Sequence, residues 1–387
     1  MRTIKNYVRA ALPILLGCLL FVACSDDDIA EKGVKEGLPA SLTFKMVVPD
    51  LNDAVVTRAG VEQETALNQL MFLFYKKSDT SKPAFAKVID QLGSWRIGSD
   101  GNDNSNRLYT VTISPGETDL NDNELMSGEY YLYALANWGN GFCSYDAEGY
   151  ASKSLDELKS AILARESSAN VLDIINNTPM TGIYGRDDGS IEIYEGENSF
   201  GNTDETRVHL RRAVAKVIFN ISTVDGITFT PERYSIYHYS QSSTLMERSG
   251  WGGDQGTKPG NLSYEGNNSF SDFEDLAFSD GTPNSFEFYM PENVQRAKDS
   301  NFTDVKMREK RESETNEKFK YAPEKSTYIV IEGHYNGPRN ASSDETAIYD
   351  GDVKYTIQLG DFDATRGGID NFTIRRNVKY TYNVKVK

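Results

Sequence analysis

The chain has 387 residues and a formal net charge of -16 at pH 7, with a pI near 4.8, which argues against nucleic acid or an anionic membrane face as a partner. Of its three cysteines, Cys18 and Cys24 lie in the N-terminal leader and only Cys143 lies beyond it, so no intramolecular disulfide is available after processing and stability must come from a packed core. Tyr occurs 22 times and Phe 18, a composition that favours sheets over helices.

The leader sets the destination. Arg2, Lys5 and Arg9 precede an apolar run over residues 10–23, which is too short to span a bilayer as a helix. The run closes on Phe21-Val22-Ala23-Cys24 and switches at once to Ser25-Asp26-Asp27-Asp28. Small or apolar residues leading to a cysteine resemble the lipobox of a bacterial lipoprotein, which implies cleavage before Cys24 and acylation of its thiol. Leu16-Gly17-Cys18 fits the same pattern, but a cut there would leave residues 19–23 as an apolar stub, so Cys24 is preferred. The acidic tract after it resembles the signal that sends lipoproteins of Gram-negative anaerobes to the outer face of the outer membrane. Residues 1–23 therefore read as a signal peptide and residues 24–40 as a polar tether.

Leu42, Phe44, Met46 and Val48 are apolar at every second position, the pattern of a half-buried strand. A turn-like stretch follows, and then a connector in which a trypsin-like protease could reach Arg58, leaving Ala59 as the new N-terminus. Further strands are predicted over residues 67–75, 108–113, 130–136, 208–221, 286–290, 328–335, 348–359 and 378–386, all rich in Tyr, Phe, Val and Ile. One helix stands out over residues 155–164. Ser154 and Glu157 form a capping box, and Leu155, Leu158 and Ile162 share a face. Asp350-Gly351 predicts a tight hairpin, and residues 98–106, 248–275 and 296–320 read as long polar loops. The best linker is residues 196–206, which puts a domain boundary near Thr206. In the final strand Val378, Tyr380, Tyr382, Val384 and Val386 alternate with polar residues. It reads either as the last strand of a sheet or as a strand whose partner another subunit supplies.

No set of residues reads as catalytic, and no metal site or cofactor is expected. Cys143 reads as a small buried residue. His209, His238 and His334 stand in no catalytic motif, and no carboxylate pair has a hydrolase context. Residues 100–104 hint at a calcium loop, but Ser105 stands where a glycine is required and Val111 where a bidentate glutamate is required.

Five local patterns resemble the FimA-type fimbrillin family, the type V pilins of Gram-negative anaerobes. They are Val56-Thr57-Arg58-Ala59-Gly60, Tyr131-Leu132-Tyr133-Ala134-Leu135-Ala136-Asn137, Pro179-Met180-Thr181-Gly182, Leu210-Arg211-Arg212-Ala213-Val214-Ala215-Lys216-Val217, and Ile374-Arg375-Arg376-Asn377-Val378-Lys379-Tyr380-Thr381-Tyr382. The resemblance implies an all-β protein of two consecutive antiparallel, transthyretin-like β-sandwiches, here residues 59–205 and 206–387. It implies a structural or adhesive subunit of a fimbrium, exported as a lipoprotein held in outer-membrane lipid through acylated Cys24. Cleavage after Arg58 would then remove residues 41–58, and a neighbouring subunit would donate a strand to the groove left by Leu42, Phe44, Met46 and Val48. Stalk subunits of the family continue further past the Arg-Asn-x-x-Tyr strand than this sequence does, which leads to the expectation of a tip or accessory subunit. A host or bacterial surface ligand, glycan or protein, is a further expected partner. The alternative is a non-polymeric outer-membrane lipoprotein that binds glycans through Trp95, Trp138 or Trp251, although such residues are more often core or loop filler.

Overall fold

A computed structural model describes residues 33–49, 52–53, 67–89, 106–138, 146–164, 178–185, 187–246, 270–295, 297–313, 315–339, 347–360 and 368–387. Cys24, Arg58, Ala59, Trp95, Cys143 and Trp251 lie outside these residues. The first part of the chain gives β1 (Ala40–Pro49), β2 (Asn52–Asp53), β3 (Leu70–Lys76), β4 (Phe85–Ile89), β5 (Asn106–Ile113), β6 (Gly128–Ala136), α1 (Ala147–Ala151), α2 (Leu155–Ser160), β7 (Ile162–Ala164), β8 (Met180–Tyr184), β9 (Ser190–Ile193), β10 (Gly196–Ser199) and β11 (Val208–Arg212). The second part gives β12 (Val214–Thr223), β13 (Thr228–Ser240), β14 (Ser242–Thr244), β15 (Phe270–Ala277), β16 (Ser285–Pro291), β17 (Arg311–Ser313), β18 (Asn316–Phe319), β19 (Tyr328–Pro338), β20 (Ile348–Gln358) and β21 (Val378–Val386). The fold is all-β with a few short helices, as expected.

The first part builds a nine-stranded sheet in the order β10-β1-β11-β8-β6-β3-β4, with β5 added beside β1 and β9 beside β6. The sheet curls over its own core. Phe44 of β1 and Phe72 of β3 are several strands apart in the sheet, yet their rings meet edge to face at 4.9 Å. The second part is a sandwich of two four-stranded sheets, β16-β12-β21-β2 and β15-β13-β19-β20, closed over Val217, Phe219, Ile236, Phe288, Ile329 and Tyr380. A third core lies where the two parts meet. Leu73, Tyr75 and Leu135 on the outer face of the first sheet pack with Leu155 and Leu158 of α2 and with Val214, Leu245 and Tyr289.

Several local expectations change. Residues 208–221 are two strands rather than one, because the chain leaves the first sheet at Arg212 and enters the second at Val214. Helix α2 carries the expected capping box but ends at Ser160. Ala161 is extended, and Ile162 is drawn into a ladder opposite Thr244 of β14. Tertiary pairing there overrides a helical pattern that was too short to hold on its own. Asp350-Gly351 is not a turn. Asp350 pairs with Asn336 and Gly351 with Tyr335 inside the β19–β20 ladder, whose connection lies between Pro338 and Ile348. The segments read as loops contain β15, and also β17, β18 and a 3-10 turn at Val305–Glu309. The linker read over 196–206 begins with β10, which pairs with β1. Finally, the sheets are not purely antiparallel, since β1 is parallel to β10 and β11, and β21 is parallel to β12 and β2.

Candidate functional site: the first strand in its groove

Strand β1 is an interior strand. On one side it runs antiparallel to β5, from Leu42↔Ile113 to Pro49↔Asn106. On the other it runs parallel first to β10, from Ala40↔Gly196 to Thr43↔Ser199, and then to β11 at Met46↔Val208 and Val47↔His209. Leu42, Phe44, Met46 and Val48 are each 0% exposed, so the predicted alternation faces the core. The opposite face is more covered than half-burial predicts, with Ser41 and Val47 also buried.

Local chemistry fits the neighbours around this strand. Asn198 of β10 donates from Nδ2 to the carbonyls of Ser41 and Tyr194, at 3.1 and 2.8 Å, and accepts from the Tyr194 amide at 2.8 Å. The amide of Phe200 donates to the Thr43 carbonyl at 2.8 Å. Next comes Gly201, at φ +104, where a Cβ would stand 2.7 Å from the Lys45 nitrogen. Only glycine combines that left-handed backbone with so close an approach. Ahead of β1, Ser127 holds the incoming chain. Its hydroxyl donates to the Lys35 carbonyl at 2.6 Å, and its amide donates to the Leu38 carbonyl at 2.7 Å. The described end of the expected tether is therefore fastened to the protein.

Strands β1 and β2 serve both parts of the molecule. After β1 the chain passes to β2, where Asn52 and Asp53 pair with Val378 and Lys379 at the start of β21. Strand β21 pairs along its length with β12 and, at Val378 and Lys379, with β2. Tyr380, Tyr382 and Val386 are buried, and Val378 and Val384 are half-buried.

The remaining motifs of the resemblance map to tight joints rather than to a surface. Gly182 sits where a Cβ would meet the His209 carbonyl at 2.3 Å, so β8 and β11 close only around a glycine. Asn137, at φ +58, accepts the Asn68 amide at 2.8 Å and donates to the Thr178 carbonyl at 3.0 Å. Arg212 is buried and donates from its amide and Nη1 to Asn377 Oδ1, at 3.2 and 3.1 Å. Asn377, also left-handed at φ +57, donates its amide to the Val214 carbonyl at 2.9 Å. Arg376 forms a buried ion pair with Glu292 and donates to the carbonyls of Leu245 and Thr244, at 2.9 and 2.5 Å. The sequence marks these residues as motifs but does not show their job. An Arg-Arg doublet carries no periodicity that marks it as buried.

No catalytic arrangement forms among the described residues, and no group of three or more His, Cys, Asp or Glu there could hold a metal ion. His209 meets the Asp204 carbonyl, His238 the Ser326 carbonyl, and His334 stands between Asp350 and Asp352. Trp138 is 7% exposed and belongs to the third core, so it presents no stacking face. No helix among the described residues is long and apolar enough to cross a membrane.

A domain of unknown function (DUF4906) matches residues 288–384. No curated protein matches the sequence. Among solved structures, one "putative cell adhesion protein" from Parabacteroides distasonis is 17% identical with a TM-score of 0.50, over 91% of this chain and 89% of that one. A second from the same organism is 14% identical with a TM-score of 0.50, over 90% and 92%. The tip fimbrial protein Mfa3 from Porphyromonas gingivalis, with a C-terminal truncation, is 14% identical with a TM-score of 0.49, over 90% and 95%. The two Parabacteroides structures share this protein's fold along nearly its whole length.

Proposed function

We propose that the protein is a structural or adhesive subunit of a cell-surface fimbrium, made as a lipoprotein on Cys24 and opened for assembly by a cut after Arg58. The observation that carries this reading is the placement of β1, a strand laddered on both sides whose Leu42, Phe44, Met46 and Val48 are fully buried and which lies just upstream of the candidate cut. The fold it shares with proteins assigned to cell adhesion supports the same reading.

The energetics suit such a device. Loss of β1 uncovers the sites of Leu42, Phe44, Met46 and Val48, at about 1.5–3 kcal/mol each. The sum is on the order of 6–12 kcal/mol, comparable with the stability of a whole domain. A strand donated by another subunit restores both the burial and the ladder bonds, as in other cases of strand addition. Folding energy withheld until cleavage then drives association.

Trypsin-like cleavage at Arg58, followed by removal of the released piece, tests the proposal. The remaining protein should lose stability and recover it on addition of a synthetic peptide of residues 38–53, with a midpoint that rises with peptide concentration. Arg58→Ala should resist the cut and keep its own first strand. A cut protein as stable as the intact chain and indifferent to the peptide would overturn the groove mechanism. Retained lipid labelling in Cys24→Ala would overturn the assignment of the acylated cysteine.

A further inference from the structure

We infer that the fold is built to carry tension along its length, with β1 and β21 acting as shear clamps at opposite ends. The inference concerns the uncut chain, in which β1 is in place, and stands on strand registers rather than on the adhesive reading.

The route of the load can be followed residue by residue. β1 enters at the far end of the first sheet and runs towards the junction, parallel to β11 at Met46↔Val208 and Val47↔His209. β11 passes into β12 through Ala213 alone. β12 then runs parallel to β21 from Lys216↔Lys379 to Thr223↔Val386. β21 begins at the junction, where Val378 pairs with Asn52, and leads to the far end of the sandwich. Tension applied before Ala40 and after Val386 therefore draws β1 backwards and β21 forwards, each along its own axis.

In that direction a ladder is loaded in shear. Its hydrogen bonds share the force and have to yield together, whereas a ladder pulled open from one end gives way one bond at a time. Side chains resist the same slip. Phe44 is wedged edge-on against Phe72, and Tyr382 stacks on Phe219 at 4.8 Å while its hydroxyl donates to the Gly360 carbonyl at 2.8 Å. The junction end of β21 is pinned just before the strand starts. Arg376 is held by Glu292 and the Thr244 and Leu245 carbonyls, and Asn377 is held by Arg212. These anchors oppose sliding of β21 as a unit and so share the lengthwise load with the ladder.

Single-molecule force spectroscopy on the full chain decides the matter by changing only the direction of pull. Handles at Lys35 and Lys387, both exposed, load β1 and β21 lengthwise. Handles at Asp225, also exposed, and Lys387 sit at the same end of the β12–β21 ladder, beside Thr223↔Val386, and unzip it. Because forced unfolding reports the unfolding rate, the first geometry should yield at roughly twice the force of the second or more. Equal forces, or a weaker lengthwise response, would overturn the inference. Arg376→Lys keeps the charge and loses the forked donor set. It should lower the lengthwise force and leave the unzipping force unchanged, and an equal fall in both directions would count against the pin.

Discussion

At the scale of single residues, burial of charge is the sharpest commitment this molecule makes. Arg376 and Glu292 are each 2% exposed in their side chains, so each depends on the other to offset its lost hydration. Removing one partner of such a pair costs about 3–5 kcal/mol, because the other is left charged and buried. Arg376→Ala should lower stability by that amount in denaturant titrations. Exposed pairs such as Lys318 with Glu324 should contribute little when removed. His334 makes a different demand. Its Nδ1 lies 3.1 Å from Asp352 Oδ1 and its Nε2 lies 2.6 Å from Asp350 Oδ1. These bonds, Asp352 first, raise its pKa above the ordinary 6.5. A folded pKa above the unfolded one means that the imidazolium stabilises fully below about 6.5 and that this contribution is lost as pH rises through the folded value. Stability should fall over that window, and His334→Gln should flatten the dependence. A His334 resonance titrating below the ordinary value in NMR would contradict it.

At the scale of elements, β1 was legible and its surroundings were not. Alternation of Leu42, Phe44, Met46 and Val48 names a strand and the face it buries, since side chains on a strand alternate with period two. Phe44→Ala should therefore cost about 3–5 kcal/mol, as expected for an aromatic removed from a packed core. Alternation says nothing about which strands lie alongside. Parallel pairing of β1 with β10 and β11, or of β21 with β12, is fixed by long-range topology and leaves no mark in a local window. The break at Ala213 was hidden for a similar reason, because β11 and β12 both alternate and only a change of sheet separates them. Asp350-Gly351 carries the composition of a turn but lies within a long edge ladder, so the β19–β20 register outweighs local preference. The capping box of α2 was readable because both of its contacts lie within four residues. The end of α2 was not, because β14 supplies it from far along the chain.

At the scale of the whole molecule, the two parts are joined more firmly than consecutive domains usually are. Domains in one chain move relative to each other by default unless their interface is large and hydrophobic. Here the third core draws Leu73 and Leu135 from the first sheet, Leu158 from α2, and Leu245 and Tyr289 from beyond the crossing. The β7–β14 ladder spans the same joint, as do the bonds from Arg212 to Asn377. Strands β1 and β2 cross it once and β11 and β12 cross it again, so opening the joint disturbs both sheets. Coupling of this kind makes unfolding of one part expose the apolar face of the other, which favours a single cooperative transition. Calorimetry on the intact chain should give one peak whose calorimetric and van't Hoff enthalpies agree. Leu158→Ala weakens the third core and leaves the cores within each part untouched, so it should lower that peak and begin to split it. Two well-separated peaks in the unsubstituted protein would show that the parts unfold independently and that the third core is too weak to bind them.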